Sequence, residues 1–199
     1  MTPLADDLLV AGAEQLLLTS GAEERHSRQV AKLAMQLASQ LKAQLGLEAA
    51  DLALLEAAAL VHDIGVPLGE SAHNKVARDL ILAADWPGLS KRQRLLLANL
   101  VRYHRKSEPA LTHKLYADIS PDDQQLVRAL AALLRLADGL DRPHNAAIER
   151  LEVSFPVPGQ CVITASGNSS LAYNLMGGEL KQGLLEQVLN VTISLHPVS

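Results

Sequence analysis

The sequence predicts a mainly α-helical protein with a small C-terminal α+β tail. Alanine and leucine dominate, aromatic residues make up only 3% of the chain, and apolar residues recur at helical spacing up to about residue 140. After Pro143 the pattern changes to short segments that are typical of strands. We therefore expect a helical domain over residues 1–145 and a small α+β subdomain over residues 146–199.

Six helices are expected before Pro143, in a bundle of six or seven helices overall. Gly46 suits the end of the second helix, because glycine tolerates a positive φ angle. Ser90 and Gln93 form a capping box, and Ser120 followed by Pro121 is typical of a helix start. The expected ranges are about 4–19, 23–45, 48–64, 73–85, 91–106 and 121–140.

The tail is expected to contain strands and one helix. Strands are predicted at 148–155, 160–165 and 191–195, and a helix at about 171–189. Residues 156–159 are typical of a turn. A segment of about 50 residues is too small to be robust alone, so we expect it to pack on the bundle.

The composition limits the partners and the compartment. A net charge of −4 gives no overall electrostatic reason for nucleic acid or an anionic membrane to be the main partner. No apolar run approaches about 20 residues, and the N-terminus has no basic region before its apolar stretch, so neither a membrane span nor a signal peptide is expected. One cysteine, Cys161, excludes an internal disulfide framework, and a cytoplasmic location is expected.

The pair His62-Asp63 is the most informative feature, because it ends an otherwise apolar helical run. Burying both groups is unfavourable unless a partner satisfies them, and a metal ion can satisfy the two together. Adjacent helical residues point about 100° apart, so other helices must complete the ligand set. His26 and Asp138 fall on apolar helix faces. The predicted metal ligands are therefore His26, His62, Asp63 and Asp138, and the predicted ion is Mn, Fe, Zn, Mg or Ni.

These residues also have simpler interpretations. A lone histidine on an apolar face is more often a core histidine bonded to a carbonyl than a ligand, although two buried carboxylates need compensation. Asp63 and His104 are candidate catalytic residues; His104 equally fits a histidine stabilised by the helix dipole. Five basic residues are either phosphate ligands or parts of a solvated surface: Lys75, Arg102, Arg105, Lys106 and Arg142.

Four segments carry a family resemblance: residues 56–65, 85–90, 100–106 and 133–142. They resemble the C-terminal HD half of exopolyphosphatase/guanosine pentaphosphate phosphatases, in the HD superfamily of metal-dependent phosphohydrolases. The resemblance covers about residues 20–195. It implies an HD-type helical bundle that holds a divalent ion on the four predicted ligands.

The chain departs from this family in two respects. No stretch of it resembles the family's actin-like ATPase portion, so polyphosphatase activity is not carried over. Where the family often has His-Lys-His-Ser, this chain has Asn74-Lys-Val-Ala77, and His73 lies one residue out of register. We therefore expect a site for one ion rather than two.

Three functions follow as hypotheses. The first is a metal-dependent phosphohydrolase acting on a nucleotide or other phosphate ester. The alternative is a non-catalytic HD module that binds a small phosphorylated molecule or partner and mediates assembly, and the third is a purely structural metal site. A homodimer is also expected, since unpaired strand edges and an exposed leucine-rich first helix tend to be covered.

Overall fold

The computed structural model describes residues 5–198, apart from the side chains of residues 5, 6 and 70, and its fold is mainly helical with a small α+β tail, as predicted. Residue 4, where the first helix was expected to begin, lies outside this range. The described helices are α1 (Ala5–Ser20), α2 (Glu24–Leu45), α3 (Ala49–Val61), α4 (His73–Ala83), α5 (Lys91–Tyr103), α6 (Lys114–Ala117), α7 (Pro121–Leu140), α8 (Ala172–Glu179) and α9 (Gly183–Leu189). The described strands are β1 (Ile148–Ser154), β2 (Gln160–Gly167) and β3 (Thr192–Pro197).

The core lies between the apolar faces of α2, α3, α5 and α7. The apolar face of α2 is fully buried: Val30, Leu33, Ala34, Leu37 and Leu41. Gly46 ends α2 with a φ angle of 63°. The capping box is present at the start of α5, where Ser90 Oγ accepts a hydrogen bond from the Gln93 backbone N–H over 3.2 Å.

Three differences from the predicted elements follow from local geometry. Helix α5 ends at Tyr103 rather than near residue 106, and Lys106 has a φ angle of 57° that no α-helix continues. The short α6 was not predicted. The helix expected at 171–189 is divided into α8 and α9, which both pack on α7.

No single helix among residues 5–198 is long and apolar enough to cross a membrane. The segments Ala49–Leu68 and His73–Ala83 meet that test of length and composition only as a pair, which is bent by 111°.

The sheet has the order β1-β2-β3, with β1 antiparallel and β3 parallel to β2. Glutamine side chains of α2 cover the outer edge of β1. Gln36 Oε1 accepts from Leu151 N over 2.7 Å, and its amide donates to Glu149 O. Gln40 Oε1 accepts from Val153 N over 2.9 Å, and its amide donates to Leu151 O. These positions of β1 are therefore not open to a partner strand; the homodimer stays a prediction.

Helices α7 and α8 cross at two glycines. A Cβ atom on Gly139 would lie 2.6 Å from the backbone oxygen of Gly177 and 2.9 Å from Lys181 Cβ, so no side chain fits there. Asn174 on α8 also donates to Leu140 O over 2.8 Å. This crossing holds the turn after α8 against the C-terminal end of α7.

Candidate metal centre

The four ligands predicted from sequence meet at one point of the bundle. His26 comes from α2, His62 and Asp63 from the turn that follows α3, and Asp138 from the last turns of α7. His26 Nε2 lies 3.5 Å from Asp138 Oδ1, and His62 Nε2 lies 3.5 Å from Asp63 Oδ2. The structure therefore brings all four side chains into one cluster.

Two of the histidines are oriented by bonds on the far side of their rings. His26 Nδ1 lies 2.8 Å from Asp141 Oδ2, and His62 Nδ1 lies 2.7 Å from the Ala59 carbonyl oxygen. Both Nε2 atoms are buried and have no hydrogen-bond partner. A buried nitrogen left unpaired is unfavourable, and a bond from the other ring nitrogen to a carboxylate or carbonyl is usual for histidines that bind metal.

A second group of donors adjoins the first and was not predicted. His73 Nε2 lies 3.1 Å and His104 Nε2 lies 3.4 Å from Asp63 Oδ1. His104 Nδ1 bonds to the Val101 carbonyl oxygen over 2.7 Å. Two groups of side chains could each hold an ion. The first is His26, His62 and Asp138, and the second is Asp63, His73 and His104. Asp63 belongs to the second group, but its Oδ2 faces His62 of the first.

His73 supplies a donor that the expectation of a one-ion site did not include, and the number of ions stays a prediction. Asn74 is turned away and donates to the Arg102 carbonyl oxygen over 2.7 Å, but His73 opens α4 and faces the centre. A Cβ atom on Gly65 would overlap the His73 backbone oxygen, so this glycine lets α4 pack directly on the turn after α3. Alignment of residues 74–77 with the family's His-Lys-His-Ser segment does not reveal this packing.

The two carboxylates remain ionised in spite of their burial. Burial would raise the pKa of Asp63, but the neighbouring His62 and the hydrogen bond with His73 outweigh it and hold that pKa well below its usual range. The same holds for Asp138, whose pKa is lowered chiefly by its contact with His26. Two partly buried negative charges at one point favour a cation as their partner.

The histidines respond in opposite directions to this environment. Burial would lower the pKa of His26, but the carboxylates of Asp138 and Asp141 outweigh it and raise the pKa to about 9. Burial, with the neighbouring His62, lowers the pKa of His104 to about 3. His104 is therefore a neutral imidazole at pH 7, the form that can bind a metal.

A pocket of about 300 Å³ opens beside the centre. Its lining residues are Asp63, His73, His104, Arg105, Lys106, Asp138, Gly139, Arg142, His144 and Lys181. Three of the five predicted phosphate ligands thus lie at the site, namely Arg105, Lys106 and Arg142. Arg105 Nη1 lies 2.9 Å from His73 Nδ1, and Lys106 Nζ donates to the Ser71 carbonyl oxygen.

The structure does not bring the other two predicted phosphate ligands to the centre. Lys75 is exposed on α4. Arg102 lines a different surface pocket with Arg78 and His113, and its guanidinium carbon lies 5.5 Å from the centroid of the Tyr103 ring. Because α5 ends at Tyr103, Arg102 and Arg105 point to different sides of the molecule.

Two further residues at the site carry no signal in the sequence. Lys181, from the turn after α8, lies with Nζ 3.4 Å from Asp138 Oδ2. The His144 ring stacks on the His26 ring at 3.7 Å between centroids, and His144 Nδ1 bonds to Glu23 Oε2 over 2.7 Å. Their positions depend on how the tail packs on the bundle, which no local pattern reveals.

Comparison with known proteins agrees with the resemblance seen in the sequence. The chain is 32% identical over 110 residues to guanosine-5'-triphosphate,3'-diphosphate pyrophosphatase of Aliivibrio fischeri, a match that covers 55% of this chain and 22% of that relative. The chain therefore spans only about a fifth of the relative's length. The family model described as Ppx/GppA phosphatase, domain III, matches residues 12–166. Since that match covers most of the chain, the protein belongs to the Ppx/GppA phosphatase family through its domain III.

Proposed function

We propose that this chain is a metal-dependent phosphohydrolase acting on a nucleotide or other phosphate ester. The observation that carries the proposal is the pair of buried, unpaired Nε2 atoms of His26 and His62 beside the carboxylates of Asp63 and Asp138. Membership of a phosphatase family supports the reaction class. The printed name of the relative, a guanosine nucleotide pyrophosphatase, supports a nucleotide substrate.

The donors at this centre fit divalent ions. His26, His62 and Asp138 would hold one ion, His73 and His104 would hold a second, and Asp63 lies between the two groups. Four imidazoles favour Mn, Fe, Zn or Ni over Mg, which prefers oxygen ligands. Ions held in this way supply an activated water and polarise a phosphoryl oxygen.

The remaining residues of the site have roles that follow from their contacts. Asp141 fixes the orientation of His26 by accepting its Nδ1–H. The side chains of Arg105, Lys106 and Arg142 line the pocket and would bind phosphate oxygens. His104 was a candidate acid–base catalyst, but its Nε2 faces Asp63 and its Nδ1 is bonded to a carbonyl, so the role of metal donor suits it better.

The non-catalytic module remains the second candidate function. The observation in its favour is that the match covers only 22% of the relative, so the activity in the relative's name can reside in the other part of that protein. In this alternative the same pocket binds a phosphorylated ligand without hydrolysing it.

Metal analysis combined with a hydrolysis assay tests the proposal. We expect the protein loaded with Mn, Fe, Zn or Ni to hydrolyse nitrophenyl phosphate esters or nucleotides, and Asp63→Asn to abolish turnover while the circular dichroism spectrum is unchanged. The matched control is Asp85→Asn, at an exposed carboxylate. Metal binding without turnover of any phosphate ester would favour the module. Unfolding on metal removal, again without turnover, would favour a structural metal.

A further inference from the structure

Four cationic side chains line the pocket beside the metal centre: Arg105, Lys106, Arg142 and Lys181. The carboxylates that share this lining are those of Asp63 and Asp138, and both belong to the donor groups. Ions bound at the centre would use these negative charges. The four cations would then face the pocket without compensating anions, so the pocket is built for a strongly anionic ligand.

Lys181 is the most informative of the four because it comes from the tail. Asp138 uses Oδ1 toward His26, while its Oδ2 lies 3.4 Å from Lys181 Nζ. A strong charge-assisted hydrogen bond is about 2.7–2.9 Å long, so Asp138 satisfies the ammonium only in part. The side chain of Lys181 is 19% exposed, so this cation is largely withdrawn from water.

The cations come from two parts of the chain that meet at the pocket. Arg105 and Lys106 follow α5 and adjoin the second donor group through the 2.9 Å approach of Arg105 to His73. Arg142 and Lys181 adjoin the first donor group, where α7 ends and α8 crosses it. Two linked phosphates carry more charge and more oxygen atoms than a single phosphate, so they match four cations from two parts of the chain better.

A second lobe with a volume of about 490 Å³ adjoins the first pocket. It shares Asp63, His73 and Arg105 with the first pocket, and it is otherwise lined by Glu23, Val66, Ser71 and His144. Arg105 is the cation of this lining, and the Glu23 carboxylate would repel phosphate. The uncharged remainder of a ligand therefore suits this lobe, and its phosphates suit the cationic one.

We propose that the pocket takes a ligand with two linked phosphate groups, and that Lys181 with Arg142 forms the subsite for the second phosphate. Turnover of such a ligand rests on the proposed function, but its binding does not. Lys181 is thus a specificity residue that the α+β tail supplies to a centre built by the bundle.

Calorimetric binding of adenosine 5'-diphosphate and adenosine 5'-monophosphate tests this inference, using the full chain with its bound metal and excess Mg²⁺ in the buffer. We expect the diphosphate to bind about tenfold more tightly or better, the difference that one added charge-assisted contact gives. In Lys181→Gln the preference should be lost while the affinity for the monophosphate stays within about twofold. The matched control is Lys114→Gln, an exposed lysine distant from the pocket.

Equal affinities of the two nucleotides for the wild-type protein would overturn the inference. So would an equal loss of both affinities in Lys181→Gln, because Lys181 would then act only as the ion-pair partner of Asp138. If Lys181→Gln does not fold, Arg142→Gln provides the same comparison at an exposed position. A preference for the diphosphate without any hydrolysis would contradict the proposed function alone, and hydrolysis without the preference would contradict this inference alone.

Discussion

His26 and Asp141 form a buried pair in which the carboxylate fixes the orientation of the imidazole through Nδ1, the ring nitrogen that faces away from the candidate metal centre. The distance from His26 Nδ1 to Asp141 Oδ2 is 2.8 Å, both side chains are 1% exposed, and Asp141 Oδ1 also accepts the Ala146 backbone N–H over 2.8 Å. One carboxylate therefore joins the metal centre to the loop that leads into the tail.

Asp141→Asn should weaken metal binding while leaving the predicted donor atoms in place. The variant keeps an acceptor for His26 but loses the charge that raises the basicity of its ring, and such changes typically cost about 10–100-fold in metal affinity. Competition with a metal-chelating dye measures the effect. Asp122→Asn, at an exposed position on the same helix, is the control. An unchanged affinity in Asp141→Asn would show that His26 is not a ligand.

Arg135→Met should destabilise the loop after α5, which carries the pocket residues Arg105 and Lys106. The guanidinium of Arg135 donates to the carbonyl oxygens of Tyr103 over 2.9 Å and Lys106 over 3.3 Å. Leaving the buried Tyr103 carbonyl oxygen unpaired costs about 1–3 kcal/mol, so the free energy of unfolding in urea should fall by about that amount. Arg128→Met on the same helix should change it by less than about 0.5 kcal/mol. Equal effects of the two substitutions would contradict this role.

Gly177→Ala should force α7 and α8 apart. Overpacking of this kind costs about 1–3 kcal/mol, which should appear as a lower melting temperature. Gly183→Ala is the matched control, because a Cβ atom there meets nothing within 4 Å and alanine favours the helix. If the two variants melt at the same temperature, the close crossing does not constrain the fold.

The double variant Gln36→Ala, Gln40→Ala should expose the outer edge of β1. Each glutamine makes two bonds to strand backbone, and a net contribution of about 1 kcal/mol per side chain is expected from urea unfolding. Increased self-association should follow, since an uncovered strand edge pairs readily. The exposed Gln44→Ala is the control, and a double variant that matches it in stability and association would contradict this account.

Cys161 should be unreactive in the folded protein. Burial raises the pKa of its thiol to about 11, so only about one thiol in a thousand is ionised at pH 8. Alkylation by iodoacetamide should be much faster in urea, and the rate for the folded protein should keep rising between pH 8 and pH 10. A plateau near pH 9 would indicate an ordinary, accessible thiol.

Local signals in the sequence were sufficient to predict the bundle and the four side chains that meet at its centre: His26, His62, Asp63 and Asp138. The capping box at Ser90 and the apolar face that contains His26 are short-range patterns. Because a helix repeats every 3.6 residues, such patterns predict directly where a helix begins and which side chains share its buried face. Asp63 was predicted because an ionisable pair at the end of an apolar run needs a partner. In the part of the chain that the structure describes, these elements lie where their periodicity places them.

The contacts that were not predicted all depend on packing between distant segments. His73 reaches the centre because Gly65 allows a close approach of two backbones, and Lys181 reaches it because Gly139 allows another. Arg102 was grouped with Arg105 because the two are close in sequence. Helix α5 ends between them, so the Arg105 side chain lines the pocket at the centre and the Arg102 side chain lines a different pocket. Such relationships arise only when the elements assemble.

The position of Lys181 has a consequence for how this protein could diverge. Every candidate donor to the metal lies between residues 26 and 138, whereas Lys181, one of the four cations that line the pocket, lies in the tail. If the two proposals hold, substitutions in the tail would alter which ligand is accepted without changing the residues that would hold the ions. Ligand choice and metal binding would then be able to evolve through separate parts of this sequence.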